Sequence, residues 1–490
     1  MTALSAGNKK DKVGPLQLII IFAILQFVIA FFTDPMMLTF DESMWHYIGR
    51  NWIRSGLTPY SGGIDNKSPL IFYIFGVSDW FFGVNFWFPR MVGILVQSAG
   101  IFALFKIAEK IIGKGAGVIA ISFYGLSLLW RSTGGKYVSY TETYAIAAVI
   151  ISIYFCIVSE RKNHAVIGGL VAGLGFGFRI TAIFGIVPVF IYLSKLNKKS
   201  ALLYVAGFLI GIIILILLAA FAGIKISDFL FYGFTDNFGT GSPTDHTFGW
   251  SIQRLSDGFF YSEIILFYPA IVYYFILVRK FNFFTIWMIS EFLGIVVLGL
   301  YDRSHYKNLL PVMSLMGAYS MHHLVTHYGL PAKQVLLGLW IVFFPKTFEP
   351  LFAIRKYLYL EDSQLSVSKE TMLFEEERFK KLIGLWIKSK TNPDERVYVA
   401  GFNSQIQVYS ERISPSIYFN ATQTAFAKER LYSDLLKNKP ALVVIPQFGN
   451  YSILIDKDIR HFISDMVAAN YTLDTCLYNY NIFSNNKRKK

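Results

Sequence analysis

Cysteine is almost absent from this chain: there are two in 490 residues, Cys156 inside an apolar run and Cys476 far downstream. Such a pair supports no disulfide framework, no thiolate zinc site and no cysteine nucleophile. Charge is scarce too, at 16% of residues against 54% hydrophobic and 17% aromatic, and the mean hydropathy is +0.45. Those values exclude a soluble protein of this size and point to a membrane protein. An internal repeat is also missing, and the charges gather at the ends of apolar runs. A secondary transporter, the alternative class, would repeat its halves and carry charged, broken helices near the midplane. The formal charge of +14 sits in turns between apolar runs and in two basic tails. Membrane lipid, not nucleic acid, is the anionic partner this implies.

What the chain has in quantity is apolar runs of spanning length. The first, LQLIIIFAILQFVIAFF (Leu16 to Phe32), would extend about 25 Å as a helix at ~1.5 Å per residue. Lys9, Lys10 and Lys12 precede it and no small-x-small site follows, so it reads as an uncleaved anchor. About 11 spans are expected, near 16–32, 88–108, 115–131, 142–158, 164–178, 180–194, 201–223, 259–278, 283–301, 308–326 and 331–347. With the N-terminus inside, the cytoplasmic turns hold Lys106, Lys110, Lys114, Arg161, Lys162, Lys195, Lys198, Lys199, Arg279, Lys280 and Lys333. The positive-inside rule agrees with that count. It places on the external side the loop 33–87, the turns at Glu142 and Arg179, the loop 224–258, the turn 302–307 and everything after about 348.

Residues 348–490 change character. Short apolar runs, RVYVAGF and ALVVIPQF, alternate with amphipathic stretches such as EEERFKKLIGLWIKS. The expectation is a transmembrane domain over 1–347 and a small extracytoplasmic α/β domain over 348–490.

The first external loop opens with LTFDESMWHYIGRNWIRSG. Thr39-Phe40-Asp41-Glu42 reads as a capping box. Its paired acids also suit acid–base chemistry at the membrane surface. Trp45, Ile48 and Trp52 fall on one helical face, and His46, Arg50 and Arg54 on another. That pattern predicts an interfacial helix with tryptophans towards lipid and cations towards head groups.

Continued, this loop resembles a known family. DESMWHYIGRNWIRSGLTPYSGGIDNKSPL is similar to the first external loop of the polyprenyl-phosphate-sugar glycosyltransferases of GT-C fold, the glycosyltransferase family 39 group of protein O-mannosyltransferases and lipid A aminoarabinose transferase. SYTETYAIAAV resembles the family's second acidic loop, GLGFGFRITAIFGIVP its Gly-rich span ending in a base, and YDRSHYKNLLPVM its aromatic-His-Tyr turn before a proline. TNPDERVYVAGFNSQIQVYSERISPSIYF is similar to the C-terminal domain of bacterial members. Two departures are visible. KSP stands where many relatives have KPP, and Arg179 where lysine is usual, which alters how a phosphate is gripped.

The resemblance implies an α-helical polytopic membrane enzyme that inverts the sugar it moves from a polyprenyl-phosphate donor to a hydroxyl on a lipid, glycan or protein. The expected setting is the external face of a prokaryotic cell membrane. Such a transfer needs a carboxylate to take the hydroxyl proton and cations to receive the phosphate. The catalytic candidates are Asp41 and Glu142. The substrate-binding candidates are Glu42, which would orient Asp41 or bind the acceptor, and Lys67, Arg179, Arg303, His305 and Lys307 for the phosphate. No resident metal site is expected from the motifs, although clustered acids leave room for a bridging divalent ion. Each candidate also has a structural reading: helix capping for Asp41 and Glu42, dipole stabilisation for Glu142, snorkelling for Arg179, and solvated turn residues for His305 and Lys307.

Overall fold

A computed structural model describes residues 14–32, 37–159, 163–235, 248–297, 299, 301, 303–359, 369–401, 403–419, 427–447 and 457–488. Lys9, Lys10, Lys12, Arg161 and Lys162 lie outside these residues. The helices are α1 (Pro15–Phe32), α2 (Phe40–Ser55), α3 (Pro69–Phe82), α4 (Trp87–Ile111), α5 (Ala116–Ser127), α6 (Thr141–Ile157), α7 (His164–Phe178), α8 (Ile183–Leu196) and α9 (Lys198–Phe221). They continue as α10 (Ile226–Leu230), α11 (Phe248–Phe260), α12 (Tyr268–Leu277), α13 (Phe283–Val297), α14 (Leu310–His327) and α15 (Ala332–Tyr359).

Each expected apolar run contains a helix among the described residues, although α5 ends at Ser127, short of the expected 131. Among the described residues, α1, α4 and α9 are each long and apolar enough to cross a membrane, and the bent pair Gly249–Phe260 and Glu263–Leu277 would make a fourth. The remaining apolar helices are shorter.

Two boundaries differ most from the sequence reading. The run 259–278 is not one straight helix. The chain bends by 52° there, where Ser262 caps back onto the Gly258 carbonyl and Pro269 begins α12. The last apolar helix does not stop near 347 but continues as α15 to Tyr359, with Pro345 and Pro350 inside it.

α2 corrects a third expectation. Trp45 is buried and donates from Nε1 to Asp65 Oδ2 at 2.7 Å, so it does not face lipid. Arg50, Arg54 and His46 converge on Asp79 of α3, which has no solvent exposure. The charged face thus serves a buried carboxylate on the partner helix instead of head groups, since an unpaired buried charge is costly. The α2–α3 hairpin closes because Gly49 and Gly76 face each other. A β-carbon on Gly49 would run into the Phe72 carbonyl and the Gly76 amide.

Beyond α15 come α16 (Lys369–Lys390), α17 (Ser404–Ser410), α18 (Ala427–Asn438) and α19 (Lys457–Asn470). They surround a four-stranded sheet of β1 (Val397–Val399), β2 (Leu442–Pro446), β3 (Tyr471–Leu477) and β4 (Tyr480–Asn485) in the order β1-β2-β4-β3. β1 and β2 are parallel, with Tyr398 opposite Val443, and the other pairs are antiparallel. The runs RVYVAGF and ALVVIPQF supply the two buried parallel strands, as their unbroken apolar character suggests.

This C-terminal part clasps the first loop. Ser404 Oγ donates to the Phe40 carbonyl at 2.8 Å, the Ser414 amide donates to Tyr47 Oη at 2.8 Å, and the Ile64 amide donates to the Ile417 carbonyl at 3.1 Å. Arg50 reaches Glu411 at 2.8 Å.

Gly49→Ala should therefore destabilise the protein by about 1–3 kcal/mol through overpacking. Gly338→Ala, where nothing lies within 4 Å of the added carbon, should leave stability unchanged. Thermal unfolding of the two variants in detergent checks the contrast, and equal midpoints would contradict it.

Candidate active site

Thr39 caps α2 by accepting from the Glu42 amide, while the Glu42 carboxylate accepts from the Thr39 amide at 2.9 Å. The capping box is therefore real, and it separates the paired acids. Glu42 is fully buried. It accepts from Arg90 Nη2 at 2.8 Å and Nε at 2.9 Å, and from Ser139 Oγ at 2.7 Å. Burial alone would raise its pKa, but the Arg90 charge and these hydrogen bonds outweigh it and hold the carboxyl below its usual value. Glu42 is committed to structure on every side.

Asp41 is outside the cap and half-buried, and among the described residues no ion pair holds it. Its pKa is pushed up to about 6 by burial, with the charges of Asp65 and Glu142 adding to the rise, while Lys67 and a hydrogen bond with Tyr140 oppose it. Tyr140 Oη also lies 3.1 Å from Thr39 Oγ1, which places the phenol over the first turn of α2. Lys67 arrives from the Gly/Pro turn before α3. Tyr60 Oη donates to the Lys67 carbonyl at 2.6 Å, and the Lys67 ammonium bonds the Asn66 side chain.

Across from Asp41, the first turn of α6 presents Glu142. Its carboxylate is paired with Arg179, which follows the last turn of α7, and lies 3.2 Å from His305 Nδ1. Arg179 also donates from Nε to Thr181 Oγ1 at 2.9 Å, and its Nη2 is 2.8 Å from His305 Nδ1. A guanidinium can only donate, so neutral His305 accepts from Arg179 there, whereas a protonated His305 would turn its proton to Glu142. Lys307 is buried and donates to Thr143 Oγ1 at 2.7 Å and to the Tyr137 carbonyl at 3.4 Å. Burial lowers its pKa to about 8, against the favourable charge of Glu142.

α7 can bring its C-terminal arginine here because its glycines let it pack closely on α9. A β-carbon on Gly169 would meet the Tyr204 carbonyl, and one on Gly207 the Val166 carbonyl. At the other end of the bundle His322, late in α14, meets the Lys114 carbonyl, so the site and the lysine-bearing turn between α4 and α5 lie at opposite ends.

The structure thus brings Asp41, Lys67, Glu142, Arg179, His305 and Lys307 to one end of the bundle and sets Glu42 apart as a buried anchor. Arg303 begins the short helix Arg303–Leu309 beside them. The loop Asn237–Thr247, with Asp245 and His246, falls outside the described residues. Sequence reasoning passed over Asp65, Asp79, Arg90 and Tyr140. Asp65 stands two residues before Lys67 and Tyr140 two before Glu142, so proximity to the motifs was the available signal. Arg90, inside an apolar run, carried its own, since a charge there demands a partner. Among the described residues, no group of three or more His, Cys, Asp or Glu side chains is placed to hold a metal ion. Asp65 is engaged by Trp45 and Glu142 by Arg179.

Comparison with known proteins bears on the fold and the family. Residues 66–222 match the family described as dolichyl-phosphate-mannose-protein mannosyltransferase. No curated protein matches the chain. Among solved structures, it is similar to ArnT from Cupriavidus metallidurans bound to undecaprenyl phosphate, with a TM-score of 0.63 and 14% identity over 97% of this chain and 98% of that one. The Archaeoglobus fulgidus oligosaccharyltransferase in its apo form gives 0.55 and 12%, over 90% and 70%. The mycobacterial arabinofuranosyltransferase AftD gives 0.51 and 11%, over 95% of this chain and 39% of that one. The chain is a membrane-embedded protein with the GT-C fold. The likeness of fold extends over nearly the whole chain, whereas the family model matches residues 66–222 alone.

Arg179→Ala strands Glu142 among buried groups, which typically costs about 3–5 kcal/mol. The double variant Glu142→Gln/Arg179→Met removes both charges and should unfold at a higher temperature than Arg179→Ala. Thermal melts of the three proteins check this order, and a double variant weaker than the single one would contradict the pairing.

Proposed function

We propose that the protein transfers a sugar, with inversion, from a polyprenyl-phosphate carrier to a hydroxyl acceptor at the external face of a cell membrane. The observation that carries the reading is the division of labour between two facing carboxylates. Glu142 is neutralised by Arg179 and His305, whereas Asp41 has no ion pair among the described residues and titrates near 6. Environments that push two carboxyl groups apart assign acid–base roles, and a base with a pKa near the working pH is the more effective one.

Asp41 is the general base. It takes the acceptor proton as the new bond to the anomeric carbon forms and the bond to phosphate breaks. Lys67, Arg179, His305 and Lys307, with Arg303 beside them, offer the cationic side on which the leaving phosphate gains charge. Glu142 keeps Arg179 and His305 in place. The family match over residues 66–222 supports sugar transfer, and the carrier bound by ArnT supports a polyprenyl phosphate as leaving group. The bundle is read as about eleven spans, with the apolar helices too short to cross alone doing so together with their connecting turns. The C-terminal part, which clasps the Asp41 helix, is an external α/β domain.

Asp41→Asn leaves the Thr39–Glu42 cap intact and should abolish transfer while the donor still binds. The wild-type rate should rise as pH passes upward through about 6, because only the ionised carboxylate accepts a proton, and hold until Lys307 begins to lose its charge near pH 8. A pH–rate profile without that acid limb, or near-normal turnover of folded Asp41→Asn, would remove Asp41 from the mechanism.

Topology has its own test. Cys476 is exposed and Cys156 is packed within the bundle. A membrane-impermeant maleimide should therefore label Cys476 from outside the cell membrane. Labelling only after the cytoplasmic side is opened would place the C-terminal part inside.

A further inference from the structure

Beside the site lies a second concavity, a groove of about 410 Å³, within the ~300–1,000 Å³ range of small-molecule sites. It lies between the turn after α5, the bend before α12, the start of the Arg303–Leu309 helix and the C-terminal half of α15. Its wall touches the site at two points. Ser304 is the neighbour of His305, and Tyr137, whose carbonyl accepts from Lys307, packs edge-on against Tyr140 at 5.1 Å between ring centres. Tyr140 in turn holds Asp41. An aromatic path therefore leads from the groove to the base.

The lining says what would fit. Arg131 and Lys346 are matched by Glu263 and Glu349, so the groove carries no net charge. Lys346 pairs with Glu349 at 2.9 Å, and Ser132 Oγ donates to Glu263 Oε2 at 2.7 Å. A phosphorylated ligand would call for an excess of cations, and an acyl chain for a wall apolar throughout, whereas here Phe260, Ile265 and Leu266 are interspersed with charged and hydroxyl groups. An extended peptide would call for a free strand edge, and the groove is lined by helices and turns. Carboxylates, ammonium and guanidinium groups and serine hydroxyls, together with the ring of the exposed Tyr261, are instead the partners of a hydroxyl-rich, uncharged ring.

We propose that this groove holds the neutral saccharide part of the acceptor and passes one of its hydroxyls along Tyr137 and Tyr140 to Asp41. The inference rests on the glycosyl-transfer reading and names its acceptor class. In the step, the acceptor oxygen bonds the anomeric carbon and the carbon–oxygen bond to phosphate breaks. The bonding pair leaves with the polyprenyl phosphate, and the acceptor proton passes to Asp41.

The test uses the full chain in lipid vesicles, tritiated sugars on undecaprenyl phosphate, and a cell-envelope extract as the acceptor pool. Label should enter neutral saccharide. Tyr261→Ala and Glu263→Gln should each cut that incorporation about tenfold by raising the acceptor KM. Donor binding, and slow release of free sugar to water, should stay as in the wild type. Label in protein or in phosphorylated glycolipid, or undiminished saccharide labelling in both variants, would overturn the groove assignment while leaving glycosyl transfer standing. Donor that is neither hydrolysed nor transferred by the wild type, for any sugar, would overturn the transfer reading and this inference with it.

Discussion

The placement of Asp41 depends on a buried ion pair beside it, Arg90 with Glu42. Arg90 and Glu42 have no exposure, and the guanidinium donates at once to Glu42, to the Ala30 carbonyl at 2.6 Å and to the Met37 carbonyl at 3.2 Å. One side chain of α4 thereby fixes the end of α1, the chain leaving it and the cap of α2. Ser139 ties the turn before α6 to the same carboxylate. A buried pair of this kind is weak evidence for stability, since desolvation offsets much of its attraction. Its effect here is geometric: with every acceptor on Glu42 filled, the first turn of α2 has one orientation, and Asp41 is carried with it.

That orientation explains why adjacent acids behave so differently. One turns into the bundle and is held ionised by a guanidinium. The other turns towards the open end, where nearby carboxylates and burial oppose its charge. The opposing wall repeats the contrast, because Glu142 has Arg179 beside it, whereas the favourable charge of Lys67 and the phenol of Tyr140 do not offset the burial of Asp41 and the charges of Asp65 and Glu142. The same end collects groups from α2, α6, α7 and the turn before α14, so its shape depends on helix packing throughout the bundle. The glycine contacts between α7 and α9 are part of that packing, for they set where Arg179 arrives.

The helices were legible because apolar runs of membrane length have few alternatives, and the two parallel strands because short apolar runs bounded by polar and turn residues suit buried strands. The convergence of Asp41, Glu142, Arg179 and His305 was legible from topology and from motif resemblance together. The pairing within that group was not, because spacing along the chain shows which end a residue reaches and not which neighbour it meets. Trp45 shows the limit most plainly. Its periodicity with Ile48 and Trp52 marked an apolar face correctly, but an apolar face packs against protein or lipid with the same pattern. Only the facing glycines of α2 and α3, and the clasp of the C-terminal part, decide for protein. Asp79 was missed for a related reason: a single acid in an apolar run declares nothing until the cations facing it are known.

The clasp around α2 joins stretches of chain 364 and 367 residues apart. Leu38, Phe40, Tyr47 and Ile64 are made early, whereas Ser404, Tyr409, Ser414 and Ile417, which hold them, emerge after the whole bundle has been threaded into the bilayer. A nascent chain therefore carries Asp41 on a helix that lacks the contacts of Ser404, Tyr409, Ser414 and Ile417 until those residues have been made. A chain terminated before residue 404 would lack all four of these contacts to α2 and the loop around it.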